Sequence, residues 1–198
     1  MGLTRRSFIE AIFGGGFIFL LSALLPSFVK EKSLVRPPGA VSEDYFNSFC
    51  VRCGKCIEVC PTGAIVFADF GDGIAKVGTP KIDALKGPCE AVEGRCEGNL
   101  RCIKQCPTSA LRYVEGREVK IGHASLDEPL CIAWTGGDCL VCYEVCPVLG
   151  AIVLTEDGKP IFNQEICVGC GRCVYACPAE PKALMLLPER RRFGRWQS

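Results

Sequence analysis

The sequence predicts an α+β chain in which one small loop-and-strand unit is used four times behind an N-terminal apolar helix. Three observations carry this. Sixteen of the 198 residues are cysteine, they fall into four groups that each close on Cys-x3-Cys-Pro, and the longest uncharged run follows two adjacent arginines near the start. Cysteine at this level signals a scaffold in which covalent or metal staples supply much of the stability. A chain of this length holds one compact domain or two small modules once a targeting segment is subtracted.

Thr4-Arg5-Arg6-Ser7-Phe8-Ile9 has the Ser/Thr-Arg-Arg-x-Phe core of a twin-arginine export signal, and the nineteen residues from Ala11 to Val29 carry no charge. As a helix they would span roughly 28 Å, close to the hydrocarbon thickness of a bilayer. The region Ser22-Ala23-Leu24-Leu25-Pro26-Ser27 lacks a good Ala-x-Ala cleavage pattern. Residues 1–32 are therefore expected to be a twin-arginine signal or a retained membrane anchor, with everything after Lys30 outside the cytoplasm. Residues 33–43 read as a linker, 44–187 as the cysteine-bearing domain and 188–198 as a basic tail.

The first cysteine group is Cys50, Cys53, Cys56 and Cys60, followed by Pro61, and the fourth repeats its spacing with Cys167, Cys170, Cys173, Cys177 and Pro178. The second is stretched, with Cys89, Cys96, Cys102 and Cys106 before Pro107, and the third runs Cys131, Cys139, Cys142 and Cys146 before Pro147. Similar residues follow each proline, so the groups form an internal repeat. Short apolar strands are expected at Ile65 to Phe67, Leu111 to Val114, Ile152 to Thr155 and Leu184 to Leu187, with hairpin turns at Glu115-Gly116 and Asp157-Gly158.

Three thiolates separated by two residues each reach three irons of one cube from a single tight loop. The fourth cysteine of such a run ligates the other cluster of a pair. The pattern therefore predicts tandem bacterial ferredoxin-like modules, two pseudo-twofold 2[4Fe–4S] units, with all sixteen cysteines as ligands of four [4Fe–4S] clusters. Gly54, Gly169 and Gly171 let the backbone fold close to sulfide, and the proline turns the chain away. Spacing favours pairing the first group with the fourth and the second with the third. Cluster one then takes Cys50, Cys53, Cys56 and Cys177, and cluster two takes Cys167, Cys170, Cys173 and Cys60. The inner pair takes Cys89, Cys96, Cys102 with Cys146, and Cys131, Cys139, Cys142 with Cys106. Sequential pairing, first with second and third with fourth, stays open, and the ligand list is the same.

Disulfides are the main competing explanation for an exported chain with an even cysteine count, but they do not call for four copies of Cys-x3-Cys-Pro. Zinc ribbons use two separated pairs and leave the third close cysteine unexplained. His123 is the sole histidine, no Cys-x2-Cys-His occurs, and Gly71-Asp72-Gly73 and Gly136-Gly137 lack the flanks of a phosphate loop. Catalytic residues are therefore expected to be none. A net charge of +1 gives no nucleic-acid footprint, and four oxidised clusters would bring the loaded chain to about −7. Tyr143 and Tyr175 are expected to pack against cluster sulfur. The tail Arg190-Arg191-Arg192-Phe193-Gly194-Arg195-Trp196 is either a solvated end or a docking element. Four clusters within ~160 residues, a radius of gyration of about 15 Å, must lie close together.

The chain resembles the MauM/NapG group of ferredoxin-type proteins. The resemblance rests on Val35-Arg36-Pro37-Pro38-Gly39-Ala40, Cys50-Val51-Arg52-Cys53-Gly54-Lys55-Cys56, the Cys-x7-Cys-x2-Cys-x3-Cys-Pro spacing from Cys131, and Arg192-Phe193-Gly194. It implies a membrane-associated periplasmic electron carrier, exported folded and anchored or released at residues 11–29. Its partners would be a membrane iron–sulfur quinol-oxidising subunit and a periplasmic reductase or cytochrome. The alternative is the electron-transfer subunit of a molybdenum reductase or hydrogenase-type complex. The second group departs from the family, with Cys-x6-Cys-x5-Cys where Cys-x2-Cys-x4-Cys is usual, which singles out the geometry of one inner cluster.

Overall fold

The computed structural model describes residues 32–114 and 119–189. The segment expected to be a signal or anchor, save Lys32, lies outside the described residues, as do the Glu115-Gly116 turn and the tail from Arg190. Among the described residues no helix is long and apolar enough to cross a membrane. The described residues from Ser33 to Glu189 belong to one compact unit.

Helix α1 (Glu43–Phe49) is capped by Ser42, whose hydroxyl accepts from the Tyr45 N–H at 3.2 Å. Glu43 and Asp44 complement the dipole of its first turn. Single-turn helices follow in each cysteine group: α2 (Lys55–Glu58), α3 (Arg101–Lys104), α4 (Val141–Glu144) and α5 (Arg172–Ala176). Each holds the third cysteine of its group, and all four of these cysteines are buried. Helix α2 packs on α3, and α4 on α5.

Among the described residues there are three two-stranded antiparallel sheets. Strand β1 (Ile65–Phe67) pairs with β2 (Pro80–Ile82), Ile65 opposite Ile82. Strand β3 (Gly122–Leu126) pairs with the late strand β6 (Leu184–Pro188), Ala124 opposite Leu186. Strand β4 (Ile152–Leu154) pairs with β5 (Pro160–Phe162) across the Asp157-Gly158 turn. Pro80 and Pro160 each open a strand, a position where the missing N–H breaks no ladder.

The expected strand at Leu111 to Val114 does not form. The Arg112 N–H donates to the Gly39 carbonyl at 2.9 Å, and Leu111 is buried in the core. The facing segment is Pro37-Pro38-Gly39, and two prolines without N–H groups cannot extend a ladder. Gly39 has φ of 86°, and a β-carbon there would stand 2.2 Å from the Arg112 carbonyl oxygen, so only glycine fits.

Two hydrophobic cores result. One gathers Phe46, Ile65, Leu100, Ile103 and Leu111 around cysteines of the first two groups, and the other gathers Ala124, Ile152, Val174 and Leu184 around those of the last two. The chain leading into the first core is pinned by Arg36, which is buried. It donates to Thr79 Oγ1 and the Pro80 carbonyl, each at 2.8 Å, pairs with Glu43, and stacks 4.8 Å above the Phe46 ring.

Candidate iron–sulfur centres

All sixteen cysteines are free thiols, and they line four chambers, four to each. The first chamber holds Cys50, Cys53, Cys56 and Cys106. The second holds Cys60, Cys89, Cys96 and Cys102. Cys131, Cys139, Cys142 and Cys177 line the third, and Cys146, Cys167, Cys170 and Cys173 the fourth. Each chamber takes three cysteines from one group and one from the group beside it in sequence.

This grouping corrects the pairing that the spacing favoured. Cys106, not Cys177, joins Cys50, Cys53 and Cys56. Cys146, not Cys60, joins Cys167, Cys170 and Cys173. Cys60, not Cys146, completes the stretched second group, and Cys177, not Cys106, completes the third. Helix packing is the reason: α2 packs on α3 and α4 on α5, so the first group faces the second and the third faces the fourth, whereas likeness of spacing records only that two loops wrap their contents alike.

The stretched group builds a chamber like the others, lined by four cysteines as they are. The extra residues fold back on themselves. Arg95 Nε pairs with Glu90 at 2.8 Å, the Glu97 N–H donates to the Gly94 carbonyl at 3.1 Å, and Ala91 is buried beneath them. The long first gap of the third group closes similarly: the Thr135 N–H reaches the Cys131 carbonyl at 2.9 Å and Trp134 Nε1 donates to the Pro160 carbonyl at 3.3 Å.

Burial and neighbouring thiols raise the affinity of several of these sulfurs for protons. Cys56 is pushed up to about 12 by burial and then by Cys50, Cys53 and Cys106. Cys102 is likewise raised to about 12, and Cys142 to about 11, by burial first and then by nearby cysteines. Cys89 and Cys173 are raised further, again chiefly by burial. Four mutually repelling sulfurs need a positive centre to be held as thiolates, which an iron–sulfur core supplies, with release of protons on loading. Cys106 differs. Burial raises it, but the N–H groups of Leu111, Thr108 and Ala110 and the Thr108 hydroxyl outweigh that and hold it below its ordinary value. Ser109, with φ of 55°, curls the backbone so that these N–H groups turn inward. Among the described residues no group of three or more histidine, cysteine or carboxylate side chains converges as a single metal ion requires.

Tyr143 and Tyr175 keep about half their surface in solvent, 46% and 51%, so neither is a buried packing element. His123 lies in β3 opposite Leu187, away from the four chambers' lining. Sequence reasoning missed Arg172, which lines the fourth chamber and reaches Glu93 of the other module; its place before a third cysteine was the available signal.

Cysteine loops on small two-stranded sheets, closing in sets of four around a void, define an iron–sulfur electron-transfer protein of ferredoxin type. A family model described as a 4Fe-4S dicluster domain matches residues 49–110, across the first two groups, and one described as a 4Fe-4S binding domain matches 158–179. The chain is 38% identical over 168 residues to the ferredoxin-type protein NapG of Escherichia coli (strain K12), covering 78% of this chain and 70% of the relative. The methylamine utilization ferredoxin-type protein MauM of Methylobacillus flagellatus is 32% identical over 206 residues, 97% of this chain and 83% of the relative. Ferredoxin-type protein NapF of Escherichia coli is 26% identical over 156 residues, 75% and 83%. A chain of the formate dehydrogenase, heterodisulfide reductase and formylmethanofuran dehydrogenase complex of Methanospirillum hungatei aligns over 72% of this chain and 49% of its own at 26% identity, with a TM-score of 0.30. The chain belongs to the NapG/MauM family of ferredoxin-type proteins, which are electron carriers and not catalytic enzymes.

Proposed function

We propose that the protein carries four [4Fe–4S] clusters, one in each chamber, and relays electrons from a membrane quinol-oxidising iron–sulfur partner to a periplasmic reductase or cytochrome. The observation that carries this is the division of sixteen free cysteines into four complete sets. Bound in a chamber, such a cluster supplies a one-electron carrier.

The chain's own part is to order the sites. Helices α2 and α3 pack together and bring Cys56 of the first chamber beside Cys102 of the second. Helices α4 and α5 do the same for Cys142 of the third chamber and Cys173 of the fourth. The second and fourth chambers meet where the Cys89 N–H donates to the Cys170 carbonyl at 2.7 Å. The sites thus follow one another in the order first, second, fourth, third, in two pseudo-symmetric modules of two. Export by the twin-arginine route, with residues 1–32 as signal or anchor, places the relay on the outer face of the membrane and fits assembly on reduced cytoplasmic thiols.

Two measurements test this reading. In spheroplasts, protease should reach the protein from outside, and Arg5→Lys with Arg6→Lys should leave it inside; unchanged export of that variant refutes the targeting. Quinol added to membranes carrying the partner should bleach the visible absorbance of the loaded protein, and an absorbance that stays constant in an otherwise reducible sample refutes the relay.

A further inference from the structure

The contact between Cys89 and Cys170 is braced by a pair of residues from the two modules. Arg172 Nη2 donates to the Glu93 carbonyl at 2.7 Å, and Nη1 lies 3.6 Å from the Glu93 carboxylate. Arg172 opens α5 and lines the fourth chamber, whereas Glu93 lies in the folded loop between Cys89 and Cys96 of the second. Beside them, a β-carbon built on Gly171 would stand 2.8 Å from the Ala84 methyl, so the two modules meet there without slack.

The residue before the third cysteine is Lys55 in the first group, Arg101 in the second, Val141 in the third and Arg172 in the fourth. At the junction it is the planar fork of arginine that can hold a carbonyl and a carboxylate at once, a geometry lysine lacks. Its charge belongs to the lining of the fourth chamber, which Arg172 shares with Cys146, Cys167, Cys170 and Cys173.

We propose that electrons pass between the two modules at the Cys89 and Cys170 contact, and that Arg172 is the positioning residue there, anchored by Glu93 so as to fix the spacing of the two inner chambers and to favour the reduced state of the fourth. This rests on the reading that the chambers hold clusters. Each passage moves one electron: the centre on one side is oxidised as the other is reduced, and no proton or bond changes place. A fixed positive charge beside the fourth chamber stabilises the added negative charge, so it makes this chamber easier to reduce.

The test uses the fully loaded protein and its Arg172→Gln, Arg172→Lys and Glu93→Gln variants, each checked for iron and sulfide. Redox titration followed by EPR reads the midpoints, and pulse radiolysis reads redistribution between modules. Arg172→Gln should disfavour reduction of one cluster about tenfold, which is about 59 mV for one electron, and slow redistribution. Arg172→Lys should recover the midpoint, and Glu93→Gln should slow redistribution while sparing it. Unchanged midpoints and redistribution in a loaded Arg172→Gln protein overturn the proposal, as do equal losses in the Gln and Lys variants, which would reduce Arg172 to packing. Fewer than four clusters in the unaltered protein would overturn the cluster reading itself, so the two failures are told apart.

Discussion

Gly169 and Gly122 lie back to back: a β-carbon built on Gly169 would stand 2.6 Å from the backbone nitrogen, carbon and oxygen of Gly122. The Ile121 N–H donates to the Val168 carbonyl at 3.0 Å alongside, so the fourth cysteine loop rests directly on the start of β3. The first group holds Arg52 at the corresponding place, with φ of 56° against 75° at Gly169. One backbone shape thus accepts arginine where the side chain meets solvent and requires glycine where it meets another backbone.

Gly169→Ala is expected to cost about 1–2 kcal/mol for the left-handed backbone and a further ~1–3 kcal/mol for the clash, and to loosen the fourth chamber. Arg52→Gly should cost nothing or stabilise slightly. Anaerobic denaturation midpoints of the loaded variants check this; equal losses at both positions would contradict it.

The Arg36 and Glu43 pair sets an acid limit. Burial raises the Glu43 carboxyl, but the hydrogen bond and charge of Arg36 prevail and hold it below its ordinary value. A folded pKa below the unfolded one adds stability that is present above the ordinary carboxylate range and lost as pH falls through the lowered value. Arg36→Gln should cost about 3 kcal/mol at neutral pH, the low end for a buried pair, because Glu43 keeps 33% of its side chain exposed. The difference from the unaltered protein should narrow as pH falls through the lowered Glu43 value without vanishing, since the bonds of Arg36 to Thr79 and Pro80 do not titrate; the rate of cluster bleaching reads it.

Double variants test which groups share a chamber. Cys50→Ala with Cys106→Ala strikes one site and should remove about four irons, whereas Cys50→Ala with Cys177→Ala strikes two and should remove about eight. The opposite ranking would restore the pairing of the first group with the fourth.

Much of this was legible in the residues. Cys-x3-Cys-Pro, repeated four times, marked eight of the chamber cysteines and the two that precede each copy supplied the other eight, and the apolar residues after three of the four prolines marked β1, β4 and β6. Pairing was not legible, because spacing describes how one loop wraps and says nothing of which loop it meets. The hairpin turn at Asp157-Gly158 anticipated β5 as the partner of β4, whereas β2 and β3 were missed because Pro80 masks the first and Gly122 to Leu126 mixes polar and apolar residues without a strong alternation. Arg36 stood in a motif noted for its likeness to relatives, but its partners Thr79 and Pro80 lie far along the chain.

Cys53 alone among the sixteen is exposed, so the first chamber should yield first to attack. Limited chelation followed by thiol alkylation should label Cys50, Cys53, Cys56 and Cys106 before the rest. Earlier labelling of Cys89 or Cys173 would contradict that order.

The most direct test of the account is the iron and acid-labile sulfide content of the anaerobically loaded protein, with EPR after full reduction. Four chambers predict about sixteen irons and sixteen sulfides per chain and signals from four clusters. Substantially fewer irons in a fully loaded preparation, or cysteines recovered as disulfides, would contradict it.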